Sequence, residues 1–162
     1  MLTNVLGHNK AAQSMKNAAA DFIANPVSFL TIWGTNGTGK SMTGQAIINE
    51  CIKNKMASVY VTGSDAMAYI KDGIGKNFNV NDRVDKLSFL PILCLDELTQ
   101  LRWTDFVSEH METIIDRRYA GKLGTILIMD ESPADKLHAR VVSRMNSGTV
   151  IHNQDKDMRP LL

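Results

Sequence analysis

The segment Gly34-Thr35-Asn36-Gly37-Thr38-Gly39-Lys40-Ser41 fits G-x-x-x-x-G-K-[ST] in full. These residue types suit the grip of a polyphosphate. Glycines let the backbone curl so that successive N–H groups point inward as an anion nest. A helix starting near Lys40 adds the positive end of its dipole. Lys40 would neutralise the β- and γ-phosphates, and the Ser41 hydroxyl would coordinate Mg²⁺. The nucleotide-binding stretch is expected to run from Gly34 through Met42, with ATP and Mg²⁺ as the cofactors.

The second half of such a site needs a carboxylate at the end of another buried strand. Ile92-Leu93-Cys94-Leu95-Asp96-Glu97 supplies two. Asp96 would hold Mg²⁺ through its water shell, and Glu97 would polarise the attacking water. A strand ending in Asp-Glu can also be no more than a solvated strand end. Its place downstream of the phosphate loop favours the catalytic reading. A kinase for a small metabolite does not need the second acid, so Glu97 favours hydrolysis of ATP by water.

Positioning these residues requires alternating strands and helices. An alanine-rich helix is expected over Lys10 to Ala24, stopped by Asn25-Pro26. Strand Val27 to Trp33 leads into the phosphate loop. Helix Lys40 to Lys53, strand Ala57 to Thr62 and a short helix capped by Ser64-Asp65 and reaching Lys71 follow. The polar stretch Asp72 to Lys86 reads as irregular. Strand Ile92 to Leu95, a helix from Thr104 to Tyr119 stopped by Gly121, strand Thr125 to Met129, a helix over Ala134 to Met145 and strand Thr149 to His152 complete the order. Continuous apolar strands between helices predict an α/β fold with a parallel sheet covered on both faces.

Composition narrows the class further. With 162 residues, 44% apolar and 22% charged, the chain reads as one globular domain spanning residues 1–162, with 1–26 a helix leading into the core. There is no run of eighteen or more apolar residues and no secretory signal, so no membrane partner is expected. Cys51 and Cys94 form no disulfide framework or metal pair, which suits a reducing cytoplasm. A net charge of +1 excludes a strongly basic coating protein but leaves room for a local basic groove.

Beyond these motifs, the chain resembles the DnaC-like helicase loaders and IstB-like transposition helpers among the AAA+ ATPases. The resemblance runs from about Asn9 to Pro160. It rests on Gly34–Ser41, Leu93–Glu97, the segment Ile114-Ile115-Asp116-Arg117-Arg118-Tyr119, the segment Arg140-Val141-Val142-Ser143-Arg144-Met145, and Asp157-Met158-Arg159-Pro160. It implies a five-stranded P-loop NTPase sheet without a C-terminal helical lid, and a homo-oligomer whose ATP sites lie between subunits. Arg144 would then be the arginine finger reaching a neighbour's γ-phosphate, with Arg140 the second candidate. A fixed guanidinium in trans makes turnover depend on assembly. Read alone, the two arginines are a solvated helix face.

The resemblance also implies a function: an ATPase, slow and dependent on oligomerisation, that assembles on single-stranded DNA and delivers a replicative helicase. A transposition helper and a nucleotide-gated adaptor with little turnover are the alternatives. Where the family carries Thr or Ser and then Asn as a γ-phosphate sensor, this chain has Met129 and Asp130. Asp130 is the candidate sensor, and its charge would slow or alter hydrolysis. In the resembled loaders DNA lies against the segment between the second and third strands. Here that segment offers Lys71, Lys76 and Phe78 as DNA contacts, with Arg83 and Lys86 nearby; it reads equally as a solvated connecting loop. His8, His110, His138 and His152 show no metal-ligand spacing, and the methionines and tryptophans read as packing residues.

Overall fold

The computed structural model describes residues 10–154. Position His8 and the Asp157–Pro160 motif lie outside them. Five strands form one parallel sheet in the order β2-β3-β4-β1-β5. They are β1 (Phe29–Gly34), β2 (Ser58–Thr62), β3 (Ile92–Asp96), β4 (Gly124–Met129) and β5 (Thr149–Asn153). The helices are α1 (Lys10–Ala24), α2 (Lys40–Lys53), α3 (Gly63–Lys71), α4 (Val80–Phe89), α5 (Asp105–Ala120), α6 (Pro133–Lys136) and α7 (Ala139–Met145). None of the described helices is long and apolar enough to cross a membrane.

Buried strands divide their side chains by period two. Along β3, Leu93 and Leu95 join one core with Met67, Ile70, Met111 and Ile114 from α3 and α5. Ile92 and Cys94 join the other with Phe22, Ile47 and Ile48 from α1 and α2. The fold is therefore three-layered, with apolar burial on both sheet faces, as a parallel sheet requires. Because the chain steps from β1 past β4 and β3 to β2, the carboxyl ends of β1, β4 and β3 face one crevice at the switch in strand order. The phosphate loop, Asp130 and Asp96-Glu97 all leave the sheet there.

Three local expectations are corrected. The stretch read as irregular contains α4. Asn79 Oδ1 accepts the Asp82 N–H at 3.1 Å while Asp82 Oδ2 accepts the Asn79 N–H at 3.0 Å, a reciprocal cap. Only Val84, Leu87 and Ser88 of that helix are buried, so its apolar periodicity was thin. The cap of α3 is Thr62, whose hydroxyl accepts the Asp65 N–H at 3.1 Å, and not Ser64-Asp65. The helix expected over Ala134–Met145 is broken at Leu137 and His138, both extended, with Leu137 turned into the core.

The segment Ile114–Tyr119 owes much of its pattern to packing. Arg118 is fully buried. Its Nε donates to Thr125 Oγ1 at 2.9 Å and its two Nη atoms donate to the carbonyls of Leu87, Leu90, Pro91 and Gly124. One guanidinium thus ties the end of α4, the entry to β3 and the start of β4 to α5. Burial pulls its pKa from 12.5 down to about 10.

Candidate nucleotide site

The loop between β1 and α2 curls through left-handed residues. Gly34, Gly37 and Gly39 have φ of 137°, 74° and 84°, which only glycine adopts without strain. At Gly34 a Cβ would also lie 1.9 Å from the Asn153 carbonyl oxygen, so β5 pins the loop's start. That carbonyl accepts the Thr35 N–H at 3.2 Å, and Asn153 Nδ2 donates to the Thr38 carbonyl at 3.2 Å. Thr38 Oγ1 donates to the Thr35 carbonyl at 2.9 Å, tightening the curl.

A cleft of about 550 Å³ opens over this loop, lined by Asn36 through Met42 together with Glu97, Gln100 and Asp130. Gly34 and Thr35 form its base, since their carbonyls accept from Lys40 Nζ at 2.8 and 2.6 Å. Lys40 is 4% exposed, and its third neighbour is Asp130 Oδ1 at 3.3 Å. Asp130 Oδ2 accepts from Gln100 Nε2 at 3.1 Å. With its amide nitrogen turned to the carboxylate, Asn36 donates to Asp130 at 2.6 and 3.0 Å. One anion therefore already collects a lysine and two amides, which marks the place where a phosphate oxygen would be met. The loop geometry and the buried cation fit ATP, and the Ser41 hydroxyl with the Asp96 carboxylate fits a hard, oxygen-seeking Mg²⁺.

Asp96 and Glu97 take different positions. Asp96 is 2% exposed and does not line the cleft. Its Oδ1 accepts the Glu97 N–H at 2.7 Å, and its Oδ2 accepts the Tyr60 hydroxyl. Glu97 is exposed on the cleft wall at φ 57°, ψ 34°. A left-handed glutamate is strained, and that strain places its carboxylate at the cleft.

The arginines stand apart. Arg140 Nη2 and Arg144 Nε reach Asp116 Oδ2 and Oδ1 at 2.6 and 3.1 Å, and Arg144 also lies over the Tyr119 ring at 4.4 Å. Neither lines the cleft of its own chain. Of the DNA candidates, Lys71 is 5.7 Å from the centroid of Phe106, Lys76 is paired with Asp72, and Phe78 is 75% exposed. Phe78 borders a cavity of about 580 Å³ with Tyr69, Asn77, Asp82, Arg83 and Lys86. That cavity takes in neither Lys71 nor Lys76. Sequence reasoning missed Gln100 and Tyr60, which carry no motif of their own and are brought in by the fold.

A parallel sheet with a phosphate-binding loop after one strand and paired acids after another defines a P-loop nucleotide-binding domain. The model of the family described as ATPase family associated with various cellular activities (AAA) matches residues 30–152, and the chain belongs to that family. No curated protein matches the sequence. Among solved structures, AMPPCP-bound DnaA from Aquifex aeolicus superposes with a TM-score of 0.85 at 22% identity, over 94% of this chain and 49% of that one. The chain thus spans about half the length of that DnaA. A DnaC helicase loader superposes at 0.83 and 21% identity over 94% and 96% of the two chains. DnaI does so at 0.80 and 21% over 93% and 89%. At these identities the likeness establishes the fold.

Proposed function

We propose that the chain is an ATP-hydrolysing AAA+ replication protein of the helicase-loader type, with its site completed by a neighbouring copy. The observation that carries the reading is the division of the machinery. The phosphate loop with Ser41, and Glu97, line one cleft, with Asp96 buried at the end of the strand beside it, while Arg140 and Arg144 sit outside the cleft, on a short helix. Two guanidiniums that do not serve their own cleft suit a neighbour's γ-phosphate.

In this reading Lys40 and the loop N–H groups bind the phosphates, and Ser41 and Asp96 hold Mg²⁺, which supplies charge neutralisation on the β- and γ-oxygens. Glu97 orients and deprotonates the attacking water. ATP binding forms the contact between copies, and hydrolysis relaxes it. Single-stranded DNA would run past Phe78, with Lys86 meeting its phosphates. The second reading, a nucleotide-gated adaptor with little turnover, draws on Asp130, whose charge beside Lys40 opposes a γ-phosphate.

The test is affinity capture from host lysate with tagged Glu97→Gln protein and Mg·ATP, each retained protein being identified. A replicative helicase supports the loader; a transposase overturns it in favour of a transposition helper. Mixing Arg144→Ala with Lys40→Ala protein should restore part of the lost hydrolysis through mixed interfaces. No restoration at any ratio rejects the site completed in trans.

A further inference from the structure

Tyr60 lies outside the phosphate loop and both acidic positions, on the edge strand β2. In register it stands opposite Cys94, with Thr62 opposite Asp96. Its hydroxyl nevertheless reaches along the sheet to donate to Asp96 Oδ2. The other oxygen of Asp96 is held by the Glu97 N–H at 2.7 Å. Both carboxylate oxygens are therefore engaged, and the carboxylate plane is fixed.

The helix carrying Lys40 and Ser41 is fitted around the same ring. At Gly44 of α2 a Cβ would come 3.6 Å from Tyr60 Cε2, 3.0 Å from Cys94 Sγ and 2.5 Å from Ile128 Cδ1. A residue larger than glycine would force the Ile128 side chain to shift and would press on Cys94 Sγ beside Tyr60. Gln45, next along α2, also interacts with the Tyr60 hydroxyl. The phenol thus stands between the helix that begins at the phosphate loop and the carboxylate at the end of β3. Tyr60 is only half-buried.

We infer that Tyr60 is a positioning residue for the metal: its hydroxyl fixes the Asp96 carboxylate in the orientation that meets the water shell of a Mg²⁺ ion bound by Ser41. This rests on the reading of Ser41 and Asp96 as the Mg²⁺ residues. Groups that orient a metal's ligands commonly change metal affinity about 10- to 100-fold when removed. Asp96 acts through water, so the lower figure applies here.

The experiment is a Mg²⁺ titration of a non-hydrolysable ATP analogue carrying an N-methylanthraniloyl fluorophore, bound to wild type, Tyr60→Phe and Asp96→Asn. For Tyr60→Phe the half-saturating Mg²⁺ concentration should rise about tenfold, while affinity for the analogue in EDTA stays at the wild-type value. A shift in Asp96→Asn without one in Tyr60→Phe overturns the role of Tyr60 and leaves the metal reading standing. If Mg²⁺ alters analogue binding in none of the three proteins, the metal reading fails and Tyr60 falls with it. Equal weakening of Tyr60→Phe with and without Mg²⁺, up to failure to fold, also overturns the inference, because the hydroxyl then serves the fold and not the ion.

Discussion

Replacing Arg118 with methionine keeps the length of the side chain and removes its charge and donors. Two opposed effects follow. The buried guanidinium carries a desolvation cost, expressed in the fall of its pKa from 12.5 to about 10, which corresponds to about 3 kcal/mol that the substitution relieves. Against this, the carbonyls of Leu87, Leu90, Pro91 and Gly124 lose their donor together, while the Thr125 hydroxyl keeps its bond to the Leu123 carbonyl. Each buried group left unpaired costs about 1–3 kcal/mol. Orphaned acceptors outweigh relieved desolvation: four carbonyls at about 2 kcal/mol each, less about 3 relieved, leave a net loss of about 3–5 kcal/mol. In urea, with a slope of about 2 kcal/mol/M for a domain of this size, the midpoint should fall by about 2 M. Circular dichroism at equilibrium measures it. Arg118→Met protein within about 1 kcal/mol of wild type would refute the reasoning, showing that the guanidinium's hydrogen bonds only just offset its burial.

Glu97→Gly should remove left-handed strain and stabilise the fold by about 1 kcal/mol while abolishing hydrolysis; thermal melts and phosphate release read the two effects, and a lower melting temperature would deny the strain. Asn79→Ala should cost about 1 kcal/mol by removing one half of the reciprocal cap of α4, seen as a lower urea midpoint; an unchanged midpoint would mean that α4 is held by packing alone. Alkaline stability should depend on Cys51, whose thiol is raised above its ordinary 9.0 by burial and then by the charge of Glu50. Its contribution is complete below pH 9 and is lost as pH rises, because the unfolded thiol ionises first; the slope is at most about 1.4 kcal/mol per pH unit. Cys51→Ala should flatten the decline above about pH 9, and parallel curves for the two proteins would contradict it.

What the sequence made legible was local. The phosphate loop announces itself because glycine spacing, lysine and hydroxyl are all required within one turn of backbone. Asp96 and Glu97 are legible because an apolar strand ends abruptly in acids. The parallel sheet follows from strands without alternation. What stayed hidden depends on residues distant in the chain. Arg118 sits in a segment that also marks the family resemblance, yet nothing in its neighbours says that four carbonyls from other elements await it. Tyr60 reads as an ordinary strand aromatic until β2 and β3 are placed side by side. Asp130 was legible as a departure from the expected sensor, whereas its grasp of Lys40, Asn36 and Gln100 required the fold. Helix α4 was missed because it shows the core only a narrow stripe, although Asn79 and Asp82 three residues apart were a usable signal.

The pin that Asn153 puts through the phosphate loop joins positions 115 apart in the chain to Thr38. The loop's curl is therefore held only once β5 has taken its place beside β1. On the ribosome, a nascent chain that has emerged only as far as Gly148 has the whole phosphate motif in solution but no β5 to hold it curled. Nucleotide affinity in this protein would therefore report that Asn153 has emerged, and ATP should protect a growing chain from proteolysis only after that point.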